Sequence, residues 1–150
     1  DRAHRTRQAD PPRRSDRERF GREHASAVAS AVEGRHTLKV TKTYVRLMAV
    51  DVAKTAGFYR RALGLVPRSE SPSWTELSAD GGIVALHDGG AKAATETHLG
   101  FEVDDINAAC AAVQREGGEV VAKPVDQYGI LVARAADPDG NRFWLAQVPS

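Results

Sequence analysis

Residues able to bind a ligand or move a proton recur at alternating positions of four segments that have the two-residue period of β-strands. One face of each segment is apolar. The opposite faces, named the inner faces, carry Tyr44, Arg46 and Met48; Ile83, Ala85 and His87; His98, Gly100 and Glu102; and Arg142, Trp144 and Ala146. This mixture of aromatic, charged and small side chains is typical of a ligand pocket rather than of a core.

The inner-face side chains suggest two kinds of chemistry. Trp144 and Tyr44, with Trp74 at the rim, offer flat surfaces on which a planar ligand could stack. Arg46 offers a guanidinium fork for a carboxylate, phosphate or sulfate. The side chains that could serve as a general acid or base near neutral pH are His98, His87 and Glu102.

Each of these residues also has a purely structural interpretation. Trp144 could fill the interior, Arg46 could form an ion pair with Glu102, and His98 could hydrogen-bond within the sheet. Phe58 and Tyr59 are predicted to lie in the core. Three further residues are predicted to have no chemical role, Cys110 as a small buried hydrophobe and Asp137 and Asp139 as turn formers.

The elements that position these residues occur twice along the chain. A strand at 44–50 is followed by Asp51 as a helix cap, a helical stripe of Val52, Ala56, Tyr59 and Leu63, and Gly64 as the helix stop. Strands follow near 65–69, 73–78 and 82–88, with a turn at Asp80-Gly81-Gly82. The second copy has a strand at 98–103, a cap at Asp105, a stop at Gly117-Gly118, and strands near 119–123, 129–135 and 141–147.

The two copies superimpose at nearly constant register. Tyr44, Asp51 and Gly64 fall on His98, Asp105 and Gly118 at an offset of 54, whereas Asp80 and Leu86 fall on Asp139 and Leu145 at an offset of 59. The difference places an insertion in the second copy around 124–129. The sequence therefore predicts an internal duplication and an α+β fold of two tandem βαβββ modules, at about 42–88 and 95–147.

Short motifs in both halves carry a resemblance to a known family. Val50-Asp51, Phe58-Tyr59 and Leu63-Gly64-Leu65 in the first half, and Phe101–Ile106 and Asp137–Asn141 with Phe143 in the second, resemble signatures of the vicinal oxygen chelate superfamily. That superfamily includes glyoxalases, bleomycin resistance proteins and extradiol dioxygenases. The resemblance covers about residues 42–147, and it implies helices on the outside of curved sheets with a ligand cup inside.

The resemblance also implies where a divalent metal (Zn, Ni, Fe or Mn) would be held in metal-dependent relatives. Those four positions are occupied here by Tyr44, Ala85, His98 and Trp144. Ala85 has no donor atom, and an indole N–H cannot coordinate a metal. His98 is the one retained residue of ligand type, and a displaced site built from it with His87 and Glu76 is the alternative. We therefore expect no resident cofactor, with a displaced divalent metal as the minority alternative.

The N-terminal residues differ from the rest in composition. Residues 1–39 hold 10 Lys and Arg against 6 Asp and Glu, although the whole chain has a net charge of +1. Residues 1–38 are predicted to form a basic disordered arm, with a helix possible at 17–33, and residues 39–150 to form one domain.

Neither a membrane span nor a signal peptide is predicted from the sequence. Nucleic acid is not the expected partner. The single cysteine is typical of a cytoplasmic protein.

These features favour a small-molecule binding protein with a degenerate metal site. It would sequester, or confer resistance to, an aromatic or anionic compound such as an antibiotic. The alternatives are a glyoxalase-type lyase or isomerase, or an extradiol-type dioxygenase, using a displaced metal or metal-free acid–base catalysis. A third hypothesis is a structural or regulatory module that contacts a partner through the basic arm. The fold favours a homodimer, and a monomer follows if the modules close on each other.

Overall fold

The computed structural model describes residues 37–150, of which Lys42–Ser150 form one compact unit. The helix predicted at 17–33 and most of the predicted arm lie outside the described residues. Among the described residues, no helix has the length and apolar character that a membrane crossing requires.

The predicted α+β fold of two tandem βαβββ modules is confirmed. The first module consists of β1 (Val45–Met48), α1 (Val52–Leu63), β2 (Val66–Glu70), β3 (Trp74–Ala79) and β4 (Gly82–His87). The second consists of β5 (Thr95–Glu102), α2 (Ile106–Arg115), β6 (Glu119–Gln127), β7 (Ile130–Ala136) and β8 (Asn141–Gln147). Each module forms a four-stranded sheet, in the orders β1-β4-β3-β2 and β5-β8-β7-β6, with the first pair parallel and the others antiparallel.

Both helices begin at the predicted capping residues. The carboxylate of Asp51 accepts a hydrogen bond from the Lys54 backbone N–H at 3.1 Å, and that of Asp105 accepts one from Ala108 N–H at 3.0 Å. Each bond satisfies a donor that has no partner within the first helical turn. Gly64 ends α1 in the left-handed conformation, with φ of 70°, which glycine adopts without steric cost.

The strand boundaries differ from the prediction by more than one residue at β1, β5 and β6, and β6 ends at Gln127 rather than near 123. β1 is four residues long rather than seven, and β5 begins at Thr95, three residues earlier than expected. The β6–β7 hairpin is longer than its first-module counterpart, with strands of 9 and 7 residues against 5 and 6 for β2 and β3. The extra length accounts for the insertion that the repeat offsets placed around 124–129.

A single hydrophobic core joins the two helices to the helix-facing sides of both sheets. Phe58 and Tyr59 are 1% and 0% exposed, which confirms their predicted place in the core. The Tyr59 ring centroid lies 5.9 Å from that of Phe143 in the second sheet. Cys110 is also buried, as predicted. Val45 alternates with Leu47 and Ala49 on the apolar face of the first segment, but it lies on an edge strand and is 39% exposed.

A buried polar network ties the helix of the first module to the last turn of the second. The Asp137 carboxylate accepts hydrogen bonds from Tyr59 Oη (2.8 Å), from Asn141 Nδ2 (2.9 Å) and from the backbone N–H groups of Asp139 and Asn141. Asn141 Nδ2 also donates to the carbonyl of Met48, at the end of β1. Asp137 and Asp139 thus form the predicted turn, and in addition they connect the modules.

Burial dominates the electrostatics of this network. Desolvation raises the pKa of Asp137 above its ordinary value, although the hydrogen bonds from Asn141 and Tyr59 partly oppose it. Burial, together with the adjacent Asp137 carboxylate, raises the pKa of the Tyr59 hydroxyl well above 10. Tyr59 therefore stays protonated and can donate its hydrogen bond throughout the physiological range.

Candidate functional site

The inner face of the first sheet is open at its β1 edge. Arg46 and Met48 are exposed, whereas the alternate residues Leu47 and Ala49 are 3% and 0% exposed and belong to the core. In the parallel β1–β4 pair, Arg46 lies beside Ala85 and Met48 beside His87. The predicted inner-face residues of the first module therefore do share one face.

Three rings form a continuous series on this face. The ring centroids of Tyr44 and Trp74 are 5.6 Å apart and those of Trp74 and His87 are 5.8 Å apart, and both pairs meet edge to face at 86°. Such perpendicular contacts are a preferred geometry for aromatic pairs. His87 Nδ1 also lies 3.3 Å from Oδ1 of Asp88. The structure thus brings together three of the residues predicted to bind ligand.

An acidic side chain lies beside these rings. Glu76 is 7% exposed, pairs with Ala85 across β3 and β4, and forms an ion pair with the ammonium of Lys42. The hydrogen bond from Lys42 lowers the pKa of Glu76 below its ordinary value. Because the folded-state pKa is lowered, this ion pair stabilises the fold above the ordinary pKa of Glu, and the stabilisation is lost as the pH falls through the lowered value.

The inner face of the second sheet carries a stacked cation. The guanidinium carbon of Arg134 lies 5.0 Å from the Trp144 ring centroid, within cation–π range, and the same guanidinium pairs with Glu96. Trp144 is 37% exposed between the buried residues Phe143 and Leu145. Its ring is therefore only partly covered by the protein.

Equivalent positions of the two modules carry opposite charges. Glu76 lies beside Ala85 in the first sheet, and Arg134 lies beside Trp144 in the second, where Ala85 and Trp144 are themselves related by the 59-residue offset. Each of the two charged residues has an oppositely charged partner, Lys42 or Glu96. The duplication thus preserves the positions of these ion pairs while reversing their sign.

A β-bulge changes the position of His98. Glu96 pairs with Arg142 and Leu99 with the next residue of β8, Phe143, so Thr97 and His98 are extra residues in β5. His98 has φ of 57°, a left-handed value that histidine adopts more readily than most residues, and its side chain is exposed. The residue next to Arg142 in the pairing is Glu96 rather than His98.

A cleft of about 530 Å³ lies between β1 of the first sheet and the start of β5 in the second. Its lining includes Arg46 and Met48 from β1 and Thr95, Glu96 and Thr97 from β5. Glu102, which was considered as an ion-pair partner for Arg46, lines a different cleft with Asp80 and Asp104. The acidic residue that shares a cleft with Arg46 is therefore Glu96.

Sequence reasoning missed Lys42, Glu96 and Arg134 as inner-face residues. Lys42 precedes β1, outside the alternating segment from which the inner face was read. Glu96 was hidden because alternation counted back from Gly100 passes through the bulge. Arg134 could have been found, since it alternates with the buried Ala133 and Ala135 in β7.

The side chains at the four positions that the family resemblance assigns to a metal do not form a complete set of ligands. Ala85 has no donor atom, and Trp144 presents an indole to Arg134. The two nearby carboxylates, Glu76 and Glu96, are each paired with a cation. Within residues 37–150, no group of three or more His, Cys, Asp or Glu side chains is arranged to hold a metal ion.

The fold and these inner faces define a tandem βαβββ domain with two mixed aromatic and charged surfaces. The chain belongs to the Glyoxalase/Bleomycin resistance protein/Dioxygenase superfamily, whose family model matches residues 41–145. Among curated proteins, a lactoylglutathione lyase from Neisseria meningitidis serogroup A is 40% identical over 55 residues, or 35% of this chain. The match spans 40% of the length of that relative.

Solved structures share the fold at low sequence identity. A glyoxalase/bleomycin resistance protein/dioxygenase family enzyme from Burkholderia phytofirmans is similar over 71% of this chain and 97% of its own, at 18% identity and a TM-score of 0.62. A hypothetical protein from S. aureus is similar over 73% of this chain and 95% of its own, at 20% identity and a TM-score of 0.63.

Proposed function

We propose that the protein binds a planar small molecule on its inner faces without a resident metal, and thereby sequesters it. The observation that carries the proposal is the composition of the family's ligand positions. Tyr44 and Trp144 put partly exposed rings, 46% and 37% exposed, where metal-dependent relatives would need donors. Such rings gain apolar burial and stacking energy when a flat ligand covers them.

The exposed guanidinium of Arg46 favours a ligand that carries an anionic group. It is exposed in the cleft of about 530 Å³, and the carboxylate that also lines this cleft, Glu96, is paired with Arg134. Arg134 in turn stacks on Trp144, so the cleft and the indole are linked by one chain of contacts. A ligand carboxylate could pair with Arg46, while its aromatic body covers Trp144 or the Tyr44 ring.

Several further parts of the proposal come from the fold and composition. A homodimer in which a second copy faces the inner faces would enclose Tyr44, Met48 and Trp144 in two equivalent ligand sites. The buried, unpaired Cys110 is consistent with a cytoplasmic protein. Sequestration of a toxic compound such as an antibiotic is the biological role that such a binding site would serve.

A lyase remains the second candidate, because 55 residues are 40% identical to a lactoylglutathione lyase. In that case His98, His87 or Glu102 would move protons; His98, at the bulge, and Glu102 are exposed, and His87 is half-buried. Formation of lactoylglutathione that falls when His98 is replaced by alanine would favour this activity over binding alone.

A titration with 2-naphthoate tests the binding proposal. The probe combines a flat ring system with a carboxylate, and 2-naphthylmethanol is its uncharged counterpart. Calorimetry is expected to give tighter binding of 2-naphthoate, and Arg46→Gln should weaken that binding about 3- to 10-fold, or roughly 1 kcal/mol, because one charge-assisted hydrogen bond is lost. The effect should shrink at high ionic strength because Arg46 is exposed.

The matched control is Arg142→Gln, which removes an inner-face arginine that does not line this cleft. It should leave the affinity for 2-naphthoate within about twofold, a change of less than half a kcal/mol. Equal affinity for the two probes, or equal losses from the two arginine variants, would remove the support for Arg46 as the anion-binding residue.

A further inference from the structure

The rings and carboxylate of the first inner face already hold a cation that belongs to the protein. Tyr44, Trp74, Glu76 and His87 are named the Glu76 cluster, and two of them, Glu76 and Tyr44, contact the ammonium group of Lys42. The ammonium pairs with the Glu76 carboxylate and lies 5.7 Å from the centroid of the Tyr44 ring. A cation at that distance from an aromatic face is attracted by the ring quadrupole.

The Glu76 cluster has the features of a cation site. The Glu76 side chain is 9% exposed, and a carboxylate removed from water to that extent is strongly stabilised by a compensating positive charge. The rings of Tyr44 and Trp74 stand at 86° to each other, as do those of Trp74 and His87, so walls of two orientations flank the acid. Acid and aromatic walls together match an ammonium group on an apolar body.

Lys42 is held by fewer structural constraints than the residues of the Glu76 cluster. It lies before β1, in a segment without regular secondary structure, and its side chain is 44% exposed. The stem is flexible and already in contact with water, so the ammonium can leave when another cation takes its place on the Glu76 carboxylate. The four cluster residues, in contrast, lie on or directly beside paired strands.

We propose that the Glu76 cluster is a subsite for a primary ammonium group of the ligand, and that Lys42 occupies it as a tethered competitor. The ligand's ammonium would replace that of Lys42 on the carboxylate and against the rings. This inference rests on the proposed binding function and adds a chemical class to it. A ligand that also uses Arg46 would carry both an ammonium and an anionic group.

The competitor can be removed by Lys42→Met, which keeps an unbranched stem without the charge. The sequence has two tryptophans, so in Trp144→Phe the tryptophan fluorescence comes from Trp74 alone. Benzylammonium is the probe and benzyl alcohol its uncharged counterpart. Lys42→Met/Trp144→Phe should bind benzylammonium at least about tenfold more tightly than Trp144→Phe alone. The reason is that the ligand no longer has to displace the Lys42 ammonium from the site. The affinity for benzyl alcohol should not change.

The matched control is Lys123→Met, an exposed lysine on β6, which should leave benzylammonium binding unchanged. Adding Glu76→Gln to Lys42→Met should abolish the gain. Lys42→Gln, a second neutral variant, should reproduce it. Equal benzylammonium affinity with and without Lys42, or a gain that benzyl alcohol shows equally, would overturn the tethered-competitor proposal.

The carboxyl carbon chemical shift of Glu76 provides a readout independent of fluorescence. Lys42→Met should raise the pKa of Glu76, because it removes the hydrogen bond that lowers this pKa most, while the lowering by the Trp74 hydrogen bond and by the positive charge of Arg68 remains. Benzylammonium should then lower that pKa again, and an unchanged midpoint would count against binding at Glu76. Binding of 2-naphthoate separates the two proposals. If Lys42→Met binds 2-naphthoate but does not bind benzylammonium, the ammonium subsite is refuted and the proposed binding function is not.

Discussion

Trp144→Ala is expected to weaken binding of 2-naphthoate about tenfold or more, corresponding to at least about 1.4 kcal/mol. The substitution removes the partly exposed indole of the second inner face. It also removes the surface on which the Arg134 guanidinium is stacked at 5.0 Å, so the position of that cation is freed as well. Titration calorimetry of the two proteins measures the loss directly.

A matched aromatic control is Tyr128→Ala. Tyr128 lies in the β6–β7 turn and is fully exposed, so its removal should leave 2-naphthoate affinity unchanged. Melting temperatures of both variants show whether the fold is retained. If Trp144→Ala melts as the wild type does and still binds 2-naphthoate with the same affinity, then the indole fills space on the inner face and is not part of the ligand site.

Asp137→Ala is expected to lower the free energy of unfolding by about 3–5 kcal/mol. The carboxylate is 3% exposed and accepts hydrogen bonds from Tyr59, from the Asn141 amide and from two backbone N–H groups. Its removal takes this acceptor from the Tyr59 hydroxyl and from both backbone N–H groups, and leaves the Asn141 amide with its hydrogen bond to the Met48 carbonyl. Since domains are stable by only about 5–15 kcal/mol, the variant should be close to unfolding at 37 °C.

Urea denaturation of Asp137→Ala and of Tyr59→Phe gives the size of the effect. Tyr59→Phe removes one donor and should cost about 1–3 kcal/mol. Asp126→Ala is the control, because Asp126 also accepts a backbone hydrogen bond in a turn but is exposed, and the cost should be below about 1 kcal/mol. A small effect of Asp137→Ala, similar to that of Asp126→Ala, would mean that the buried network does not hold the modules together.

Much of the fold could be predicted because its signals are local. Asp51 and Asp105 precede apolar helical stripes, and Gly64 follows one, so caps and stops could be recognised without knowledge of tertiary contacts. The matching order of these signals in the two halves, at offsets of 54 and then 59 residues, then indicated that the second module repeats the first. The role of Asp137 was underestimated, since a turn motif does not reveal which helix packs on top of the turn.

The candidate site was predicted less completely because it depends on strand pairing. Alternation correctly placed Arg46 and Trp144 on the inner faces. It failed at His98, where two extra residues and a positive φ break the two-residue period, and it therefore did not identify Glu96. A bulge of this kind is set by pairing with β8, which lies more than 40 residues further along the chain.

The central claim, that ligand binding needs no metal, is tested by one combined measurement on protein purified without chelators. Metal content is determined by mass spectrometry, and the affinity for 2-naphthoate is measured before and after dialysis against EDTA. The account predicts far less than one divalent ion per chain and the same affinity in both states. The reason is that Ala85 and Trp144 provide no metal-ligating atom at two of the four positions that the family resemblance assigns to a metal. About one ion per chain, together with loss of binding after chelation, would contradict it.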